Sequence, residues 1–375
     1  MKIGVDAHVL AGKFQGSRTY LLNLYQEVLK QSDPEDYVFF GHWENEASPP
    51  YSSQSKYVNF KSGSKVKRLT YQSLPLLKDH NIDLYHTQYI SPLMMPCDTI
   101  CTIHDILFET HPQYFSKQEV IRNKILVRFS AQRAKQVHTV SQYSKSKIVE
   151  LYGIPEHKVK VVPNGVDLTR FTSEGKNESA GLIEQKYGVR DYILTVGRIE
   201  PRKNHIALLE AYKILMEKNI KVGPLVIVGK PDFGFQDFFN RIDELQLKPY
   251  VHIIESVDDR MLPHIYRAAS VFVYPTFAEG FGIPPIEAMA SGVPVVSSNT
   301  TAIPDVIGDA GIMVDPESYS EIATSIATIT KNSELKERLI KKGLTQAEKW
   351  TWEAAAKHFI QSVKDLTTKT VEIGR

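Results

Sequence analysis

Short continuous apolar runs alternate with amphipathic segments along almost the whole chain. In the first half the runs are Lys2–Asp6, Tyr37–Phe40, Asp83–Tyr85, Thr99–His104 and Val137–Val140. After Asn164 a second series begins: Tyr192–Val196, Leu225–Val228, Val251–Ile254, Val271–Tyr274 and Val293–Ser297. Between them lie segments with helical spacing, among them His205–Lys218, Gln236–Gln246, Ser318–Thr330 and Glu334–Lys349. Strands that are apolar at every position, alternating with helices, predict parallel sheets covered on both faces. Two such series predict an α/β protein with two doubly wound domains. The Pro-Asn-Gly turn chemistry in Val162-Pro-Asn-Gly-Val-Asp marks the boundary. The expected division is 1–165 and 166–351, with a final helix at about 352–375 packing back on the first domain.

Composition narrows this only slightly. The 375 residues are 42% hydrophobic and 23% charged, an ordinary globular balance, and about two domains in length. A net charge of +2 gives no bulk attraction to nucleic acid, so none is expected as a partner. There is no apolar run of about 18 residues to cross a membrane. The first strand carries Asp6 where a secretion signal needs apolar residues, which predicts a cytoplasmic protein. The two cysteines, Cys97 and Cys101, read as reduced thiols on one face of a strand.

Ligands of open α/β sheets bind at the carboxyl ends of the strands, so residues just past each strand carry the functional signal. Glu279 to Glu287 reads E-G-F-G-I-P-P-I-E between an apolar strand and an apolar helix. Pro284 and Pro285 suit a first helical turn, where a missing N–H costs little. The amides of Phe281, Gly282 and Ile283 are then left to face an anion such as a phosphate. The flanking carboxylates, Glu279 and Glu287, do not bind phosphate; they accept hydrogen bonds from hydroxyls. A phosphate cradle between two hydroxyl readers indicates a sugar on one side and a ribose on the other. Upstream, Gly197-Arg-Ile-Glu-Pro-Arg-Lys-Asn follows another strand, and its Arg198 and Lys203 are the cations expected at a diphosphate. The chain contains no Asp-x-Asp. Cations beside an amide cradle therefore predict leaving-group stabilisation without metal.

These segments resemble the donor-binding half of the family 4 retaining glycosyltransferases, which have the GT-B architecture. The matching pieces are Gly197 to Asn204, Tyr274 to Val296 and Ile303-Pro-Asp-Val-Ile-Gly-Asp-Ala-Gly. In the first half, Gly16-Ser-Arg-Thr-Tyr, His104-Asp105 and Val162 to Asp167 fall in the family's order. The resemblance implies two Rossmann-like domains facing across a cleft, and a nucleotide diphosphate sugar as substrate, with no further cofactor. It implies that Glu279 binds sugar hydroxyls, that Phe281, Gly282 and Ile283 hold the diphosphate, and that Glu287 holds the ribose. Arg198 and Lys203 neutralise the departing phosphate, and Gly197 lies at the same strand exit. His104 lines the sugar site from the other domain, and the loop from Gly12 to Gly16 covers the phosphates or the acceptor. Two positions depart from the pattern. Glu255, where the chain passes the nucleotide base, is often glycine in the family, and His8 stands where arginine is frequent.

The expected activity is therefore transfer of a sugar, from a uridine diphosphate donor or second from guanosine diphosphate mannose, to a glycan or lipid-linked glycan acceptor, as in exopolysaccharide or lipopolysaccharide synthesis. A sugar-nucleotide epimerase or a non-catalytic nucleotide-sugar binding protein is the alternative. The segment Ser116–Lys135 adds a location. It carries Lys117, Arg122, Lys124, Arg128, Arg133 and Lys135 against one acid, Glu119, with Val120, Ile121, Ile125 and Phe129 among them. Such a helix suits either a solvated face or shallow attachment to an anionic membrane surface.

Overall fold

The computed structural model describes residues 1–11, 16–43, 50–51 and 55–373. The chain divides into two compact units, Met1–Gly165 with the C-terminal helix Trp352–Ile373, and Val166–Thr351. Among the described residues the first unit holds seven parallel strands. In chain order they are β1 (Ile3–Asp6), β2 (Tyr37–Gly41), β3 (Lys56–Asn59), β4 (Leu84–Gln88), β5 (Asp98–Thr102), β6 (Gln136–Thr139) and β7 (Val159–Val161). They lie in the order β3-β2-β1-β4-β5-β6-β7. The second unit holds β8 (Ile193–Val196), β9 (Leu225–Val228), β10 (Val251–Ile254), β11 (Val271–Tyr274), β12 (Val295–Ser298) and β13 (Ile312–Val314). Their order is β10-β9-β8-β11-β12-β13, again parallel throughout.

Both sheets are doubly wound, so each has one point where the strand order reverses: β1 against β4 in the first unit, β8 against β11 in the second. The connections run to opposite faces from that point, which opens a crevice at the carboxyl ends of the two strands. The central strands β1, β2, β9 and β11 are buried along their whole length and are apolar at nearly every position. The sequence pattern overlooks β3 and β13, and reads β7 only as the strand that ends in the Pro-Asn-Gly turn. These are edge strands of three or four residues, partly exposed, and their apolar signal is correspondingly weak.

The first core is lined by an unusual row of polar side chains. His86 is wholly buried and uses both ring nitrogens, with Tyr25 Oη at 2.7 Å and Thr102 Oγ1 at 2.7 Å. His138 bonds Gln136 at 2.8 Å and Ser362 of the C-terminal helix at 3.0 Å. Phe359 of that helix packs against both histidine rings and Tyr25. Burial holds His86 down at about 3, with His104 adding to the effect. Both thiols are free; Cys101 is buried within β5, while Cys97 lies half-buried just before the strand. Burial pushes them up to about 11 and about 12 respectively.

Candidate active site

The reversal point of the second sheet collects most of the residues singled out from the sequence. Gly197 follows β8 directly, and its N–H donates to Val228 O at 2.9 Å. The backbones run so close that a Cβ on Gly229 would stand 1.9 Å from the Gly197 oxygen, so position 229 admits only glycine. The following loop closes in a short 3₁₀ turn, Pro201–Lys203, and Asn204 takes a left-handed conformation, φ 54°. From there Asn204 Nδ2 donates to Pro275 O at 3.0 Å and Pro316 O at 2.8 Å. Phe277 N and Thr276 Oγ1 donate to Arg202 O at 2.9 and 3.0 Å. The loop after β8 is thus tied along its length to the loop after β11.

Glu279 stands at the centre of this join and is nine-tenths buried. Its Oε1 receives Lys203 Nζ, Tyr274 Oη at 2.9 Å and Thr276 Oγ1 at 3.2 Å, and pairs with Arg202 Nη1 at 3.0 Å. Its own N–H donates to Thr301 Oγ1 at 2.9 Å. Burial alone would raise the carboxyl; Arg202 and Lys203 outweigh it and hold the group at about 2, so Glu279 is ionised. Burial also lowers the Lys203 ammonium, against the pull of Glu279.

The chain then turns at Gly282, φ 106°, a conformation closed to most side chains; a Cβ there would also meet Ile303 Cδ1 at 2.7 Å. The helix Ile283–Ala290 starts at once with prolines in its first turn. Among the described residues, the amides of Phe281, Gly282 and Ile283 enter none of the turn, loop or cap hydrogen bonds. Phe281 itself is buried and packs edge-on against Trp350. Glu287 lies one helical turn below Ile283 and accepts from Tyr266 Oη at 2.7 Å. Burial pushes its carboxyl up to about 7, with Tyr266 and Arg170 opposing. Glu279 and Glu287 therefore differ: one is a fixed anion, the other titrates near neutrality.

Arg198 does not join this group. Its side chain is 61% exposed and pairs with Asp232. Arg202, not singled out from the sequence, is the arginine at Glu279, with a side chain 12% exposed, and it also donates to Ala278 O at 2.7 Å. Its signal lay in the same eight-residue segment, where burial alone separates it from Arg198. Tyr274 and Tyr266 were also missed. Each is a buried tyrosine in an apolar stretch, whose hydroxyl requires a partner. Glu255 is exposed, one residue beyond β10.

In the first unit, His104 lies two residues beyond β5, buried, with Nε2 at 2.9 Å from Gln88 Oε1 at the end of β4. Tyr20 meets its ring edge-on at 4.7 Å. Burial lowers the imidazole to about 4, so it is neutral. The Gln88 Nε2 beside it is buried without a partner among the described residues. Of the loop expected over Gly12 to Gly16, residues 12–15 lie outside the described residues; Gly16 opens the helix Gly16–Gln31.

Two parallel-sheet units, with an amide turn, a buried carboxylate–cation cluster and a second carboxylate one turn on, define a glycosyltransferase of the GT-B class. The chain belongs to glycosyltransferase family 4: residues 14–170 match the description Glycosyltransferase Family 4, and residues 183–346 match Glycosyl transferases group 1. It is 32% identical over 292 residues to the O-antigen chain mannosyltransferase B of Escherichia coli, covering 77% of this chain and 76% of that protein. To the O-antigen chain mannosyltransferase RfbU of Salmonella typhimurium it is 29% identical, covering 68% and 67%. Among solved structures it resembles the sucrose-phosphate synthase of Thermosynechococcus elongatus, with a TM-score of 0.80 at 19% identity over 98% of this chain and 100% of that one. WaaG, a glycosyltransferase involved in lipopolysaccharide biosynthesis, gives 0.73 at 17% identity over 95% and 98%.

Proposed function

We propose that the protein is a retaining, metal-independent mannosyltransferase that extends an O-antigen-type glycan from a nucleotide diphosphate donor. The observation that carries this reading is the buried Glu279, held ionised by Arg202 and Lys203 immediately before the amides of Phe281 to Ile283, which enter no turn, loop or cap hydrogen bond among the described residues. A uridine diphosphate sugar and guanosine diphosphate mannose are both compatible with that cradle. The similarity to mannosyltransferases favours the latter.

The amides and Lys203 face the oxygen on which negative charge grows as the sugar–phosphate bond breaks, and groups aimed at developing charge stabilise the transition state selectively. Glu279 holds the sugar hydroxyls, and Glu287, when ionised, accepts from the ribose. Arg198, free of the buried cluster, adds its guanidinium to the diphosphate from the solvent side. The acceptor oxygen bonds to the anomeric carbon on the face the phosphate leaves, and the acceptor proton passes to the departing phosphate oxygen. His104, neutral and anchored on Gln88, is the first unit's candidate for binding a sugar hydroxyl. NMR of the product from guanosine diphosphate mannose, with chelator present, tests this reading. An α-linked product from the α-linked donor is expected. Inversion, or activity that returns only with added magnesium or manganese, contradicts it.

The location proposed is the cytoplasmic side of a membrane. No helix among the described residues is long and apolar enough to cross one. The basic helix Lys117–Arg133 instead exposes Ile121 and Ile125 by more than three-fifths, and Phe129 by 40%. Apolar residues raised among cations are the composition of an interfacial helix, and a lipid-linked acceptor would bring the enzyme there.

A further inference from the structure

Three cations and three carboxylates alternate across the loops that follow β8, β9 and β11, and two of the carboxylates, Asp232 and Glu200, have no part in the chemistry above. Lys203 and Arg202 share Glu279. Arg202 Nη2 also pairs with Glu200 at 2.6 Å, and Glu200 lies 3.9 Å from Arg198 Nη2. Arg198 Nη1 in turn pairs with Asp232, in the loop beyond β9. Every cation of the row is matched by a carboxylate, so a diphosphate competes with these acids for each cation it uses.

Burial decides which pair yields. The side chains of Lys203, Arg202 and Glu279 are nearly enclosed, and parting a buried pair leaves a charge with neither water nor partner. The Arg198 and Asp232 side chains are 61% and 38% exposed, where water replaces most of what the pair loses. The two partners also differ in freedom. Asp232 is pinned: its N–H donates to Ile199 O at 3.0 Å, and its Oδ1 accepts from the Phe233 N–H at 2.8 Å. The Ile199 N–H donates to Lys230 O at 2.9 Å. Gly234, in a left-handed turn with φ 74°, lies so close to the Arg198 loop that a Cβ would meet Pro201 Cγ at 2.8 Å. The two loops are stitched together, and the long, exposed side chain of Arg198 is the part that can swing.

We propose that Asp232 is a positioning residue of the donor site: it competes with the diphosphate for the guanidinium of Arg198, and so sets how tightly the nucleotide is held and how fast the product nucleoside diphosphate leaves. The proposal rests on the transferase reading above, in which Arg198 serves the diphosphate. Asp232 touches no substrate. Its carboxylate weakens nucleotide binding by the cost of exchanging one exposed pair, and such differences fall mainly on the rate of release.

Calorimetric titration of the full chain with guanosine and uridine diphosphate tests this in the wild type, Asp232→Asn, Arg198→Ala and the double variant. Asparagine keeps an oxygen for the Phe233 N–H and removes the charge. For the nucleotide that binds the wild type, Asp232→Asn is expected to bind about threefold more tightly at low salt, the order of effect of one exposed pair. The gain should shrink as salt is raised. In the Arg198→Ala background the same change is expected to lose that gain, because no guanidinium remains to be released. A merely structural Asp232 would instead weaken binding in both backgrounds and lower the unfolding temperature. Unchanged or weaker binding in Asp232→Asn, or a gain of the same size without Arg198, overturns the proposal while leaving the transferase reading intact. A wild type that binds neither nucleotide refutes the transferase reading, and the proposal falls with it.

Discussion

The two sheets reverse their strand order in the same way, yet the crevices they open are furnished with opposite chemistry. At β8 and β11 the groups are charged and mutually compensated: Glu279 between Arg202 and Lys203, with the amide turn Phe281–Ile283 alongside. At the first sheet they are mostly neutral: His104 anchored on Gln88, and a single ion pair, Asp6 with Arg68, on which His8 also bonds. A diphosphate gains charge in the reaction, and fixed charges stabilise it; an acceptor sugar stays neutral, and directional hydrogen bonds suffice to bind it. On the proposed function, one fold would serve two ligands through the loops that leave its strands.

The largest effect that would break this contrast is in the charged crevice. Lys203→Ala should lower kcat by about 10²–10³-fold, the usual effect of removing a group that stabilises developing charge. Kinetics close to wild type would remove the second crevice from the chemistry. Glu279→Ala should in addition lower the unfolding temperature, since it strands Arg202 and Lys203 without their buried counterion.

Glu287 sharpens the comparison through pH. Its folded value, about 7, lies above the ordinary 4.5, so the folded state holds its proton more tightly. The stability this gives is present below about pH 4.5 and lost as pH rises through 7. On the proposed ribose role, binding favours the ionised form and runs the other way: the donor KM should fall several-fold as pH rises through 7. Glu287→Gln should abolish that dependence. The first unit has the reverse stability profile. His86 and His104 have folded values of about 3 and 4, below the ordinary 6.5, so the stability they contribute is present above 6.5 and lost as pH falls below it. Thermal unfolding from pH 7 to 4 should show the first unit yielding earlier.

Smaller effects belong to the surface. Changing Arg122, Lys124 and Arg128 to glutamine should weaken co-sedimentation with anionic vesicles by about 1 kcal/mol per charge at low salt, without altering transfer to a soluble acceptor. Lys124 also pairs with Glu109 at 3.3 Å and is expected to contribute least. Arg198→Ala should change stability by under about 1 kcal/mol, as for other exposed pairs, so any loss of kcat reports on the diphosphate alone.

The alternation of apolar runs and helices carried the fold, because central strands such as β9 and β11 leave an unbroken apolar signal. Strands at the sheet edges, such as Lys56–Asn59, leave little. The site was legible where backbone dictates residue type: Gly282 at its left-handed turn, and prolines opening the helix. It was not legible where burial decides. Arg198 and Arg202 are four residues apart in one loop, and only packing sends one to Asp232 and the other to Glu279. Nothing in the spacing of Tyr266 and Glu287 announces their hydrogen bond, since different elements bring them together.

The central claim is that the turn from Glu279 to Glu287 binds the nucleoside diphosphate. Calorimetric titration of guanosine and uridine diphosphate, with chelator present, tests it most directly in the wild type, Lys203→Ala and Glu287→Ala. The account predicts that one of the two nucleotides binds the wild type, and at least about tenfold more weakly to each variant, the factor of 1.4 kcal/mol per lost contact. Equal affinity in all three proteins, or binding that appears only when a divalent metal is restored, would contradict it.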